Sequence, residues 1–105
     1  MSVLPLLSME REDIISDVKL ERYFSITSKA FEMAKASGNR TSLVAERADF
    51  LQMVECYIQD AHHFRSKNDY VNAFAALSYA HGWLDAGARL GIFDVHDSVL
   101  FTVDD

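Results

Sequence analysis

Asp69-Tyr70-Val71-Asn72-Ala73-Phe74-Ala75-Ala76-Leu77-Ser78-Tyr79-Ala80-His81-Gly82-Trp83-Leu84-Asp85-Ala86-Gly87-Ala88-Arg89-Leu90-Gly91 is the stretch whose reading decides the fold. Phe74, Leu77, Leu84 and Ala88 recur at spacings that place them on one face of an α-helix, and Ala73, Ala76, Ala80 and Gly87 line an adjoining face. Small side chains let a neighbouring helix approach closely, so this segment reads as the central, most buried helix. Asn68 or Asp69 stands where a helix cap belongs, after the polar run from Ser66. At the far end Gly91 supplies a left-handed stop, and Ile92 is expected to fold back on the last turn. Gly82 and Gly87 each cost roughly 1 kcal/mol in a helix interior relative to alanine. Their presence points to close packing or to a ligand lying over the backbone, and packing is the expectation for both.

Working outward, the preceding segment carries Leu51, Val54, Ile58 and Ala61 on one face, flanked by Phe50, Tyr57 and Phe64. Thr41 or Ser42 can cap its start, and it should end near Ser66 or Lys67. Upstream again, Leu20, Phe24, Thr27, Phe31 and Ala34 form an apolar stripe widened by Tyr23, Ile26, Ala30 and Met33. This first helix should start between Ser8 and Ser16, where Glu10, Glu12 and Asp13 complement the positive helix end, and close near Ser37 with Gly38 left-handed and Asn39 in the turn. Short turns make sequential helices antiparallel neighbours. The expectation is one all-α domain over residues 1–105, an antiparallel up-and-down three-helix bundle with helices at about 10–37, 41–67 and 69–90. The apolar C-terminal extension, 92–105, carries Phe93, Val99, Leu100, Phe101 and Val103 and is too greasy for a freely solvated tail. It should dock on the bundle, with Val3 to Leu7 as a candidate neighbour; a partner chain is the alternative surface.

Half of the 105 residues are hydrophobic and only one is proline, which suits a helical domain with a real core. The formal net charge of −6 argues against binding along a phosphate backbone, so no nucleic acid is expected as a partner. The lone Cys56 can form no internal disulfide and no cysteine zinc cage, which suits a reducing, cytoplasmic setting. Val3 to Leu7 is interrupted by Pro5, lacks a basic flank and is short for a signal core or a span, so neither export nor membrane insertion is expected. The sequence contains no phosphate-cradling glycine loop, dinucleotide fingerprint or paired-His zinc motif, and no cofactor is expected.

Asp69 to Ala76, followed by Tyr79 to Gly91, resembles the short archaeal proteins grouped as domain of unknown function family 357. The resemblance runs over roughly Leu20 to Asp94 and includes Tyr23-Phe24, Glu55-Cys56-Tyr57-Ile58 and Gly91-Ile92-Phe93-Asp94. It implies a compact, left-handed, up-and-down three-helix bundle of archaeal origin. It implies no activity and no catalytic residues, because the family has none assigned.

Three polar constellations compete with plain surface polarity. Ser78, His81, Asp85 and Arg89 share one helix face and could be read as nucleophile, base and orienter. Side chains on one straight helix project outward rather than converge, however, so no catalytic residue is assigned. Cys56, Asp60 and His63 are spaced like one-face metal ligands, with Glu55, Gln59 and His62 nearby, and could grip a metal only if another element or a second copy of the chain supplied more donors; no metal is assigned. Arg89 and His96 are spaced as in a small helical ribonuclease family, an alternative weakened by Leu90, Gly91 and the acidic charge. The preferred reading is an interaction or scaffold module that engages a protein partner or a second copy. Trp83, Tyr79 and Tyr70 are large rings of the kind that anchor interfaces. The binding residues expected are Tyr79, His81, Trp83, Asp85 and Arg89.

Overall fold

The structure, a computed structural model, describes residues 15–101. Three helices, α1 (Asp17–Ala36), α2 (Val44–Ser66) and α3 (Tyr70–Leu90), make an all-α three-helix bundle with no strand among the described residues. α1 starts at the late end of the range open to it, because the Ser16 hydroxyl accepts the Lys19 amide at 3.1 Å and caps the first turn. Residues 10–14, Val3 to Leu7 and Val103 lie outside the described residues. α1 buries Leu20, Phe24, Thr27, Ala30 and Ala34, the expected stripe, while Phe31 packs against the core half-buried and Met33 is exposed.

Gly38 does not end α1 in the left-handed region. Among the described residues only Asn68 and Gly91 have positive φ, and Ser37 leaves the helix extended. The reason is that the orphan carbonyls of α1 are claimed from outside. Arg47, in the first turns of α2, donates through Nη2 to the carbonyls of Ala34 at 3.1 Å and Ser37 at 2.7 Å, and through Nη1 to those of Gly38 at 3.2 Å and Ile92 at 2.7 Å. With these acceptors satisfied, the chain needs no glycine turn there.

The connection to α2 departs from expectation in a second way. Neither Thr41 nor Ser42 caps the helix: its N-cap is Leu43, which makes no side-chain bond. The polar side chains are spent inside the turn. Asn39 Oδ1 accepts the Thr41 amide at 2.9 Å and its hydroxyl at 2.6 Å, and Thr41 Oγ1 accepts the Leu43 amide at 3.0 Å. At the second connection Asp69, one of the two cap candidates, caps α3 by accepting the Asn72 amide at 3.2 Å, and Asn68 turns left-handed with φ 64°.

Ring contacts give the helix directions. Phe50 meets Trp83 and Tyr57 meets Tyr79, so positions rise along α2 as they fall along α3. Between α1 and α2 the Arg65–Glu21 ion pair and the Phe24–His62 stack lie at one end and Arg47 with Ala34 at the other. Tyr23 on Phe74 and Asp17 with Tyr70 set the first halves of α1 and α3 side by side. α3 packs against both other helices and buries Ala73, Ala76, Leu77, Ala80, Leu84, Gly87 and Ala88, as the small-residue face predicts.

Gly91 takes φ 86° and ends α3. The chain then doubles back, the Phe93 amide donating to the Gly87 carbonyl at 3.1 Å, and Ile92, Phe93, Val95 and Phe101 are buried in the core shared by the three helices. Gly87 makes room for this: a Cβ on it would lie 2.3 Å from the Phe93 ring. Fully burying a side chain of this size is worth about 2 to 3 kcal/mol. The described part of the extension, to Phe101, therefore docks on its own bundle. Two main-chain bonds stitch it to the first connection, Arg40 amide to Gly91 carbonyl and Asp94 amide to Gly38 carbonyl, both at 2.9 Å. Gly82 breaks the packing expectation, since a Cβ there would meet nothing within 4 Å.

Candidate functional site

With Ala73, Ala76, Ala80 and Gly87 turned to the core, the outward face of α3 is left with Ser78, Gly82 and Ala86 at four-residue spacing. Two hollows flank that row. The larger, about 410 Å³, lies between α1 and α3: Tyr23, Ile26 and Thr27 form one wall and Leu77, His81 and Asp85 the other. Gly82 and Ser78 edge it, and Val99 of the C-terminal segment, 87% exposed, stands on its rim. The shallower hollow, about 360 Å³, is bounded by Tyr79, Trp83 and Ala86 and shares Ser78 and Gly82 with the first. Together they form a saddle crossing α3 at its one bare glycine.

The expected binding residues distribute unevenly over this saddle. His81 and Asp85, both half-buried, line the larger hollow with His81 Nε2 3.7 Å from Asp85 Oδ1, an ion pair when the imidazole is protonated. Tyr79 and Trp83 line the shallower one. Tyr79 is stacked on Tyr57 at 5.4 Å yet stays 62% exposed, and Trp83 meets Phe50 in a T-shaped contact at 4.9 Å. Arg89 is exposed and lines neither hollow. Tyr70 belongs elsewhere: its hydroxyl donates to Asp17, which holds the phenol above its ordinary range. Arg65 beside it is held above its ordinary value by its bond to Glu21.

The serine of the polar row is not aimed at the histidine. Ser78 Oγ donates to the Phe74 carbonyl at 3.1 Å, back along its own helix, so Ser78, His81 and Asp85 do not assemble as nucleophile, base and orienter. His96 is taken up by Asp94, Nε2 to Oδ1 at 3.0 Å, on the carboxylate oxygen that Arg40 Nε also reaches at 3.2 Å. Cys56, Asp60 and His63 are exposed on α2. Among the described residues no group of three or more His, Cys, Asp or Glu side chains is placed to hold a metal ion. No helix among them is long and apolar enough to cross a membrane.

The family model described as Protein of unknown function (DUF357) matches residues 22–93, more than half of the chain. The chain belongs to this family. The DUF357 match runs from the first third of α1 through α2 and α3 to Phe93, so it takes in the helical parts of both hollows and stops short of Val99. DUF357 as a family carries no assigned function. No curated protein and no solved structure matches the chain.

Arg47 is the main residue that the sequence reading passed over. Its signal was available, because Arg47 precedes Leu51 by four positions and Val54 by seven, a charge standing on the apolar stripe of α2. A cation on a core-facing stripe must find acceptors. The openness of Gly82 had no comparable signal, since a helical glycine reads the same whether or not a neighbour covers it.

Proposed function

We propose that this DUF357 protein is a protein-interaction module whose contact surface is the saddle over Gly82. The observation that carries the reading is the pairing of two hollows across an uncovered helix backbone, bordered by a largely exposed tyrosine and a half-buried tryptophan that also packs on Phe50. Rings of that kind, rigid and amphipathic, give up little conformational entropy when a partner covers them. The cytoplasmic setting belongs to the same proposal, supported by the lone Cys56, and the archaeal origin by the family resemblance.

A photo-crosslinking residue placed at Tyr79, and in a second protein at Cys56 on α2, tests the reading in the source cell. Position 79 should capture a recurrent protein and position 56 should not. Equal capture from both positions, or none from position 79, would refute it.

A further inference from the structure

We infer that the larger hollow, between α1 and α3, is a binding site for a neutral, largely apolar small molecule that carries a hydroxyl group. The residue that points to it is Thr27, the one buried polar residue among those described, 1% exposed and part of the lining of the hollow. A mid-helix hydroxyl that does not face solvent ordinarily donates to the carbonyl four residues back, as Ser78 at the edge of the same hollow does to Phe74 at 3.1 Å. Among the described residues the Thr27 hydroxyl makes no such bond to Tyr23 and none to any other group. A buried hydroxyl without a partner costs stability, and valine has the same shape without that cost. The oxygen at this position therefore calls for a partner from outside the helices.

The rest of the lining selects the ligand. Tyr23, Ile26, Leu77 and Val99 offer apolar surface to its body, and about 410 Å³ is the size of a small-molecule site. No Lys or Arg lines the hollow to hold an anion. Its one carboxylate, Asp85, is already engaged, with His81 Nε2 3.7 Å away, so no unmatched charge is left for a cation. Thr27 and Leu77, each 1% exposed, lie deepest, where a charged ligand group would lose its hydration and find no counter-charge. A hydroxyl can give a hydrogen bond to Thr27 or take one from it, and both capacities of the threonine are unspent.

The test uses the full chain with benzyl alcohol as probe and ethylbenzene, its match in shape without the hydroxyl, as control, both followed by NMR shifts. Benzyl alcohol should move the signals of Ile26, Thr27 and Leu77 saturably and leave Cys56 and Asp60 on α2 where they are. Thr27→Val should weaken benzyl alcohol about fivefold or more and leave ethylbenzene bound as tightly as before or tighter. The same variant should melt no lower than the parent protein, because it loses no bond. Absence of a saturable shift at the hollow would overturn the inference. So would equal weakening of both probes in Thr27→Val, which would mean that shape alone is read, or a Thr27→Val protein melting well below the parent, which would mean that the hydroxyl already has a partner such as a held water. Photo-capture at Tyr79, on the other side of Gly82, reads the interaction surface independently of these outcomes.

Discussion

Arg47 joins three parts of the chain that are far apart in sequence, its guanidinium taking carbonyls from α1, from the connection after it and from Ile92 beyond α3. The planar fork also lies 5.4 Å over the Phe93 ring. A single charged group thus does what a left-handed glycine does at many helix ends, and it reads the position of a second and third element while doing so. Hydrogen bonds to a charged donor are individually worth about 1.5 to 3 kcal/mol and are not additive, so Arg47→Ala should cost about 2 to 4 kcal/mol in urea unfolding. Arg47→Lys should recover less than half of that, because an ammonium has no fork with which to span separate carbonyls. At this scale the sequence was only partly legible. The charge on an apolar stripe announced that Arg47 must have partners, but those partners come from residues 34–38 and 92, which no local pattern connects to position 47.

The elements differ in how far each is specified by its own residues. α3 carries its cap in Asp69 and its stop in Gly91, both readable beforehand, and Asp69→Ala should lower stability by about 1 kcal/mol in thermal unfolding. α1 carries only its start, in Ser16, since its end depends on Arg47; α2 has no side-chain cap at all, because Asn39 and Thr41 bond to one another and to the turn. The stripes of all three helices follow from spacing alone, whereas the end of α1 follows from a tertiary contact that outbids local capping and the start of α2 from polar side chains bonded within the turn. The beginnings of α1 and α3 are tied by the Tyr70 hydroxyl to Asp17, and the bond raises the phenol above its ordinary value of about 10. A phenol raised in the folded state favours folding while protonated, so its contribution is complete below about pH 10 and fades as pH climbs through the raised value. Unfolding followed against pH should therefore show a loss of stability in the alkaline limb that is smaller in Tyr70→Phe than in the parent protein.

At the scale of the whole molecule, the core is finished by the segment after α3 rather than by the helices alone. Among the described residues Phe93 and Phe101 are the two largest fully buried side chains, and the apolar extension read from the sequence is a wall of the bundle as far as Phe101. Phe101→Ala should cost about 3 kcal/mol or more, measured by chemical unfolding, because the cavity it leaves opens onto the main core. The fold class was legible since three stripes need one another. The candidate site was legible only as a set of residue types: Tyr79, His81, Trp83 and Asp85 do border the saddle, Arg89 does not, and the feature that joins them is the empty space over Gly82. Space left by absent atoms has no letter in a sequence. The account rests on α3 having one face packed to contact and one face bare, and two alanines in one helix probe both. Thermal unfolding should show Gly82→Ala more stable than the parent by about 1 kcal/mol and Gly87→Ala less stable by about 2 kcal/mol, because the added methyl meets solvent in the first case and the Phe93 ring in the second. A Gly82→Ala protein that melts lower than the parent, or a Gly87→Ala protein that melts with it, would contradict the account.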